Sequence, residues 1–460
     1  MRQLLQTVLV FLLLPICVEG ASEMNDERTQ AIDVYRENPF YWQYKGEPVL
    51  LLGGSVEDNL FQIEDLPEHL DTLVKAGGNY VRCTMSSRDK GNVWPFARAG
   101  QKYDLDQWNP EYWRRFSTFL DETAKRDVIV QIELWATFDY YRDNWDRNPF
   151  NPNNNLNYTA EESGLAIQVS THPTRTENNF FWSMPAENNR ETVLHYQQRF
   201  VDRIIEFALP RGHVLYCMDN ETSVTAEWGA YWANYVQRAA RRAGRKIHTT
   251  EMWDPHSLKH AMHLATLDHP ETYSFADISQ NNHQRGEQHY ENALWARQRV
   301  ADSPRPLNNV KVYGADDGRF GGSRDGTERF WRNIFAGCAS ARFHRPDSGI
   351  GLSEQGQRMI HAARQVTDEL NIFRCEPRPD LLTRCADNEA FCLAEAGQQY
   401  AVYFPAGGEV DLDLSEANGV LELRWYDVDR GGWKDVTEIR AGTSVTLAAP
   451  GKGQWTAILR

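Results

Sequence analysis

Long runs of lysine and arginine are missing from this chain, and its 460 residues carry a formal net charge of −15. An acidic surface of that kind is repelled by nucleic acid and by anionic membranes, so neither is expected as a partner. A phosphate-binding turn is missing too. The glycine pair of the first strand candidate, Gly53-Gly54, runs into Ser55 and not into a nucleotide-binding pattern. No metal-binding helix motif, zinc-like cysteine spacing or serine nucleophile elbow occurs, so neither a metal nor a cofactor is called for. Cysteine is scarce. Of the seven, Cys17 falls in the leader, and Cys83, Cys217 and Cys338 fall on or beside strand candidates as expected buried thiols. Cys375, Cys385 and Cys392 are close enough in sequence for one disulfide, with the pairing open. There is no internal repeat.

The beginning of the chain reads as a targeting segment. Arg2 is followed by an apolar stretch from Leu4 to Ile16, broken only by Gln6 and Thr7, and Val18-Glu19-Gly20 stands at the cleavage positions. The stretch is short for a membrane span. Residues 1–20 are therefore expected to be a signal peptide, and the mature protein to be secreted or periplasmic, with no membrane attachment after cleavage. A 41% hydrophobic and 25% charged composition over this length predicts a large core and more than one domain.

Strand and helix signals alternate from residue 48 to about 371. The strand candidates are Val49–Gly53, Asn79–Met85, Val128–Leu134, Val214–Met218, Lys246–Met252, Thr272–Ile278, Val310–Tyr313 and Ala336–Phe343. They are short and almost continuously apolar, as parallel strands buried on both faces should be. Between them, apolar residues recur at helical spacing, as in Tyr196, Phe200, Val201, Ile204, Ile205 and Ala208. Eight such units predict a (β/α)8 TIM barrel over residues 21–372, with residues 30–48 packed on its base. After residue 372 short alternating strands separated by glycine turns take over, which predicts a small all-β sandwich over residues 373–460. Residues 135–190 form a long insertion rich in Asn and aromatics, expected as a wall over the barrel mouth.

One strand ends in a carboxylate. His213-Val-Leu-Tyr-Cys-Met-Asp219-Asn220-Glu221 is a buried run that stops at Asn-Glu. In a barrel this puts Glu221 at the C-terminal mouth, where such folds keep their chemistry. Asn220 is then placed to bond a sugar hydroxyl and Glu221 to protonate a leaving oxygen. Asp219 is positioned to line the site or to raise the pKa of Glu221. A carboxylate at a helix N-terminus is the structural alternative.

Several motifs carry a family resemblance. They are Tyr41-x-x-Tyr-Lys-Gly-Glu-Pro48, the Gly53-Gly54 strand, Asp58-Asn59-Leu60-Phe61-Gln62 and Gly77-Gly78-Asn79-Tyr80-Val81-Arg82. Together they resemble the opening of secreted clan A glycosidase barrels, in particular the apiosidase-like barrels of polysaccharide-degrading bacteria. The tail, from Tyr400-Ala-Val-Tyr-Phe-Pro405 through Arg424-Trp425-Tyr426-Asp427 to Trp455, resembles the β-sandwich named for collagen binding that follows those barrels. The resemblance implies hydrolysis of glycosidic bonds by two carboxyl groups, one from the end of strand four and one from the end of strand seven. Glu221 matches the first. At the second this chain departs from the pattern, because the expected spacing from Pro306 lands on Lys311.

The next acids after Lys311 are Asp316 and Asp317, with Asp317 the first choice for the second catalytic carboxylate. Glu251 and Asp277, at the ends of strands five and six, compete for that role. Arg82, Trp135, Asp139, Arg342 and His344 lie at strand ends as candidate substrate contacts, and Asp58 after strand one is either a sugar ligand or a helix cap. If Lys311 stands in the second carboxylate's place, its ammonium group should pair with Glu221 or with a substrate anion. The expected function is that of an exported glycoside hydrolase acting on a plant or algal polysaccharide or its oligosaccharides, in an exo or short-oligosaccharide mode. A carbohydrate-binding protein on a decayed barrel is the alternative that Lys311 raises.

Overall fold

The computed structural model describes residues 30–172, 178–315 and 320–460. The leader, Asp316 and Asp317 lie outside the described residues. Eight short apolar segments form parallel strands: β1 (Leu51–Gly54), β2 (Tyr80–Thr84), β3 (Ile129–Ala136), β4 (Val214–Asn220), β5 (Thr249–Thr250), β6 (Ala276–Asp277), β7 (Leu307–Asn308) and β8 (Ser340–Phe343). A helix follows each: α1 (Leu66–Lys75), α2 (Pro110–Lys125), α3 (Glu191–Ala208), α4 (Ala226–Arg242), α5 (Ala261–Leu267), α6 (Gly286–Arg299), α7 (Ser323–Phe335) and α8 (Glu354–Glu369). Local chemistry sets several of the helix starts. Asn109 caps α2 ahead of Pro110, and the Thr225 and Ser353 hydroxyls accept backbone N–H groups of α4 and α8.

The strands run β5-β4-β3-β2-β1-β8 in one ladder, with β6 paired to β7. Two seams close the ring. Ala339 N–H donates to Leu307 O at 2.9 Å and Arg342 N–H to Asn309 O at 3.0 Å, joining β7 to β8. Between β5 and β6, side chains replace the ladder: Asp277 N–H donates to Thr250 Oγ1 at 3.0 Å and Thr249 N–H to Ser274 Oγ at 3.2 Å. The glycine of β1 has a steric purpose, because a Cβ on Gly53 would stand 1.9 Å from Tyr80 O.

The barrel interior is apolar at its base and charged at its top. Leu51, Tyr80, Ile129, Leu215, Met252, Phe275, Val310 and Ala339 fill the lower part. A three-stranded antiparallel lead-in over residues 33–49 plugs the bottom with Trp42, whose indole N–H donates to Asn308 Oδ1 at 3.0 Å. The strand expected at Val310–Tyr313 is displaced. Its ladder lies at Leu307–Asn308, and only Val312 returns to pair with Phe343. On the β6 side Asn309 and Val310 are held by bonds from Asn282 Nδ2 and to Ser279 Oγ, while on the β8 side pairing continues, with Val312 N–H donating to Arg342 O at 2.8 Å and His344 N–H to Val312 O at 3.1 Å.

The aromatic insertion is largely a core of its own. Tyr140 stacks on Phe180 at 4.0 Å, and Trp135 is enclosed by Tyr140, Phe150, Phe180, Phe200, Trp228 and Trp232. Burying these rings on one another stabilises the insertion more than an exposed sugar platform would. Only a few of its side chains, described below, border the mouth.

The sandwich strands are β9 (Phe391–Glu395), β10 (Gln399–Phe404), β11 (Glu409–Asp413), β12 (Val420–Asp427), β13 (Thr437–Arg440), β14 (Ser444–Ala448) and β15 (Trp455–Leu459). Strand β13 is mostly exposed at the sheet edge, with Glu438 and Arg440 in place of an apolar alternation. One apolar core continues from the barrel into the sandwich through Phe391, Leu393, Ala401, Tyr403 and Ile458. Tyr403 stacks on Trp331 of α7 at 5.4 Å and is fully buried. Tyr403→Ala is expected to cost about 3–5 kcal/mol, read as a lower denaturant midpoint. The six cysteines of the described residues are free, Cys375, Cys385 and Cys392 included, so the structure forms no disulfide there. No helix among the described residues is long and apolar enough to cross a membrane.

Candidate active site

Glu221 is the first residue past β4, and its backbone sits in the left-handed region at φ 52°. That conformation is costly for a side chain other than glycine and is often retained where function needs it. The turn carries the carboxylate into the mouth with 14% of its side chain exposed. Lys311 Nζ lies 2.7 Å from Glu221 Oε1 and also donates to Asn220 Oδ1. The same Oε1 accepts from Tyr313 Oη at 2.6 Å and from Gln280 Nε2 at 3.0 Å. Lys311 thus pairs with Glu221, as its place at the strand-seven position led one to expect. Asn220 offers its oxygen to Lys311 rather than to the open mouth.

This environment fixes the charge of Glu221. Burial pushes its pKa up, but the Lys311 ammonium, the Lys311 and Tyr313 hydrogen bonds and His344 outweigh burial and hold it well below the ordinary carboxylate range. A carboxylate held ionised in this way is suited to act as base or nucleophile and unsuited to donate a proton. The direction of this shift favours the base or nucleophile role for Glu221 over the acid role read from the sequence.

A protonatable partner stands on the neighbouring strand end. Thr222 pairs with Trp253, and Asp254 N–H donates to Thr222 O at 2.8 Å, which brings Asp254 alongside the Glu221 turn. Burial and the negative charge of Glu221 raise the Asp254 pKa, with His172, Lys311 and His256 opposing. Ser223 Oγ donates to Asp254 Oδ2 at 3.4 Å. Asp254 was missed in the sequence because Trp-Asp-Pro reads as an ordinary turn.

Around these two carboxyls stand aromatic and imidazole rings. His256 stacks on His283 at 3.6 Å with 10° between planes, and His283 meets Tyr313 and Phe320 at 4.6 and 4.9 Å. His172 hydrogen-bonds the Glu221 backbone and packs on Phe138 and Tyr141. These rings make the walls; Phe138, Tyr141 and His172 come from the insertion expected to form one, while His256, His283, Tyr313 and Phe320 join it from other loops.

The remaining candidates form a supporting layer. Arg82 is fully buried and bidentate to Glu133, at 2.9 and 2.6 Å, and donates to Asp58 Oδ1 at 2.5 Å. Asp58 also receives Arg88 at 3.1 Å and Arg345 at 3.5 Å, so it is an ion-network centre and not a helix cap. Arg88 reaches on to Asp139 at 3.5 Å, and Ser86 Oγ donates to the same oxygen at 2.8 Å. Arg342 donates to Val310 O at 2.6 Å and to Ser55 Oγ inside the barrel. His344 packs on Tyr313, and burial holds its ring well below its ordinary pKa. Arg82 and Arg342 are buried and already bonded within the protein, which leaves neither free to clamp an anionic sugar.

Four further candidates are enclosed. Trp135 is buried among the insertion's aromatic rings and offers no face to a sugar. Asp277 lies inside the barrel beside Gln131 and Ser279, where burial lifts its pKa to about 6. Asp219 and Glu251 turn toward α4, away from the mouth, so Glu251 does not stand across from Glu221.

Solved structures share this architecture. A glycoside hydrolase family 5 protein from Bacteroides vulgatus superposes with a TM-score of 0.66 at 12% identity, covering 94% of each chain. A second glycoside hydrolase does so at 0.65 with 11% identity, over 94% of this chain and 97% of that one. The endo-1,4-β-mannanase of Rhizomucor miehei matches at 0.51 with 12% identity, over 75% of this chain and 99% of its own. The fold is that of a glycosidase barrel with a trailing β-sandwich. Residues 379–459 match the family described as "Putative collagen-binding domain of a collagenase". No curated protein sequence matches the chain.

Proposed function

We propose that this protein is an exported glycoside hydrolase acting on a plant or algal polysaccharide or its oligosaccharides. The observation that carries the reading is a pair of carboxyl groups on adjoining strand ends whose surroundings push them in opposite directions. Glu221 is held ionised by Lys311 and Tyr313, and Asp254 is biased toward its protonated form. Such a divergence is how two carboxyls come to divide the acid and base roles. In this scheme Asp254 protonates the glycosidic oxygen as the bond breaks. Glu221 supplies the negative charge at the anomeric carbon, attacking it directly or activating a water. The barrel fold and its place among glycoside hydrolase structures support the assignment.

The test is hydrolysis of a panel of polysaccharides and aryl glycosides by the wild type and Asp254→Asn. The variant should lose roughly 10²–10⁴-fold in kcat on substrates with poor leaving groups and far less on activated aryl glycosides, which need little protonation. The alkaline limb of the wild-type profile should lie above the ordinary aspartate range, since the raised pKa keeps the acid protonated there. Equal losses on both substrate types would remove Asp254 from the acid role.

Lys311 favours a second reading. A cation stands at the strand-seven position where the resemblance implies a carboxylate, and no carboxylate takes its place among the described residues of that strand, which suits a carbohydrate-binding protein. Saturable binding of an oligosaccharide without release of reducing ends from any member of the panel would favour that reading.

A further inference from the structure

Two carboxyl groups at the ends of β4 and β5 are left unused by this chemistry. Asp219 and Glu251 are both 0% exposed. Glu251 Oε1 accepts the N–H of Asp219 at 2.9 Å and that of Met252 at 2.8 Å, just beyond the last ladder pair, Thr250 with Cys217. Asp219 Oδ2 accepts the indole N–H of Trp228 on α4 at 2.8 Å. The other oxygens, Asp219 Oδ1 and Glu251 Oε2, are buried and have no hydrogen-bond partner among the described residues. The two carboxyls are neighbours whose charges interact. Two like charges buried side by side with unpartnered oxygens repel, which favours holding one proton between them. Helix α4 seals the pair. A Cβ on Gly229 would lie 2.6 Å from Glu251 Oε2 and 2.9 Å from Tyr273 Oη.

We propose that Asp219 and Glu251 share a proton and form a buried clamp that locks the ends of β4 and β5, and that this clamp positions Glu221. They are positioning residues, since neither reaches the mouth. Asp219 and Asn220 lead directly into the left-handed turn at Glu221, and Asp254 follows Glu251 by three residues, so one clamp sets the spacing of both carboxyls. This rests on the reading of Glu221 and Asp254 as the reacting pair. The groups facing the clamp are Glu133 from β3, Cys217 from β4, Tyr140 from the insertion and Tyr273 ahead of β6, with Trp228 from α4. Burial first, with Glu133 adding to it, raises the Asp219 carboxyl to about 8.

The folded chain therefore holds a proton that the unfolded chain releases in the ordinary carboxyl range. Stability from the clamp is complete below that range, falls as pH rises through it toward about 8, and is level above. The experiment compares melting temperature against pH, from 4 to 9, for the wild type and the double variant Asp219→Asn/Glu251→Gln. Other titrating groups are common to both and cancel in the difference. The wild type should lose stability relative to the double variant up to about pH 8, while parallel curves would overturn the clamp. Kinetics then test positioning. Glu251→Ala should lower kcat at least tenfold with KM little changed, and Glu251→Gln, which keeps an acceptor for both N–H groups, should restore most of it. Equal kcat in the two variants would overturn positioning. An inactive wild type would sink the hydrolase reading, while the melting curves would still decide the clamp.

Discussion

Glu221→Gln should abolish most turnover on every substrate the wild type cleaves, by roughly 10²–10⁴-fold or more in kcat, with KM little changed. The amide keeps the size of the side chain and an oxygen for Lys311, Tyr313 and Gln280, so the mouth should stay intact. What it loses is the negative charge that Lys311 maintains. Because a carboxylate at the anomeric carbon is needed whatever the leaving group, the loss should be as deep on activated aryl glycosides as on natural ones. That pattern is opposite to the one expected of Asp254→Asn, and measuring both variants on both substrate types separates the two roles. If Glu221→Gln spares activated substrates instead, Glu221 is the acid and the roles must be exchanged.

Lys311→Met is expected to be the most damaging single change for stability among the site residues. Lys311 is 2% exposed and Glu221 14%, so removing the ammonium leaves a nearly buried carboxylate with only neutral donors. Breaking one partner of a buried pair costs about 3–5 kcal/mol. Chemical denaturation at pH 7 should show that loss. The sign of the pH dependence follows from the depressed pKa of Glu221. In the wild type, the pair's contribution is present above the ordinary carboxyl range and is lost as pH falls below it. The gap between wild type and variant should therefore narrow on acidification below about pH 4.5, where unfolded Glu protonates. In catalysis, Glu221 without Lys311 should titrate higher, moving the acid limb of the pH–rate profile upward. A variant as stable as the wild type at pH 7, with an unmoved acid limb, would show that the pair sets neither stability nor charge.

The sequence by itself determined the barrel, the sandwich after it and the placing of Glu221. Each is written in a local pattern: continuous apolar runs, helical spacing, and a strand that stops at Asn-Glu. Even the Lys311–Glu221 contact was legible, because a barrel puts the ends of strands four and seven around one mouth. Only the tertiary structure decided what the charges do there. Asp254 becomes a candidate acid because β4 and β5 run side by side past their ladder and bring Glu221 next to it. Arg82 and Arg342 look like substrate contacts in sequence and prove to be hydrogen-bonded internally, because burial requires each guanidinium to find an acceptor within the protein. Trp135 looks like a sugar platform and is core, because the insertion folds its aromatic rings onto one another. Periodicity reports which face of an element is apolar. It does not report which buried charges meet, because those meetings join strands that are far apart in the chain, and it is the resulting fields that set the carboxyl protonation states.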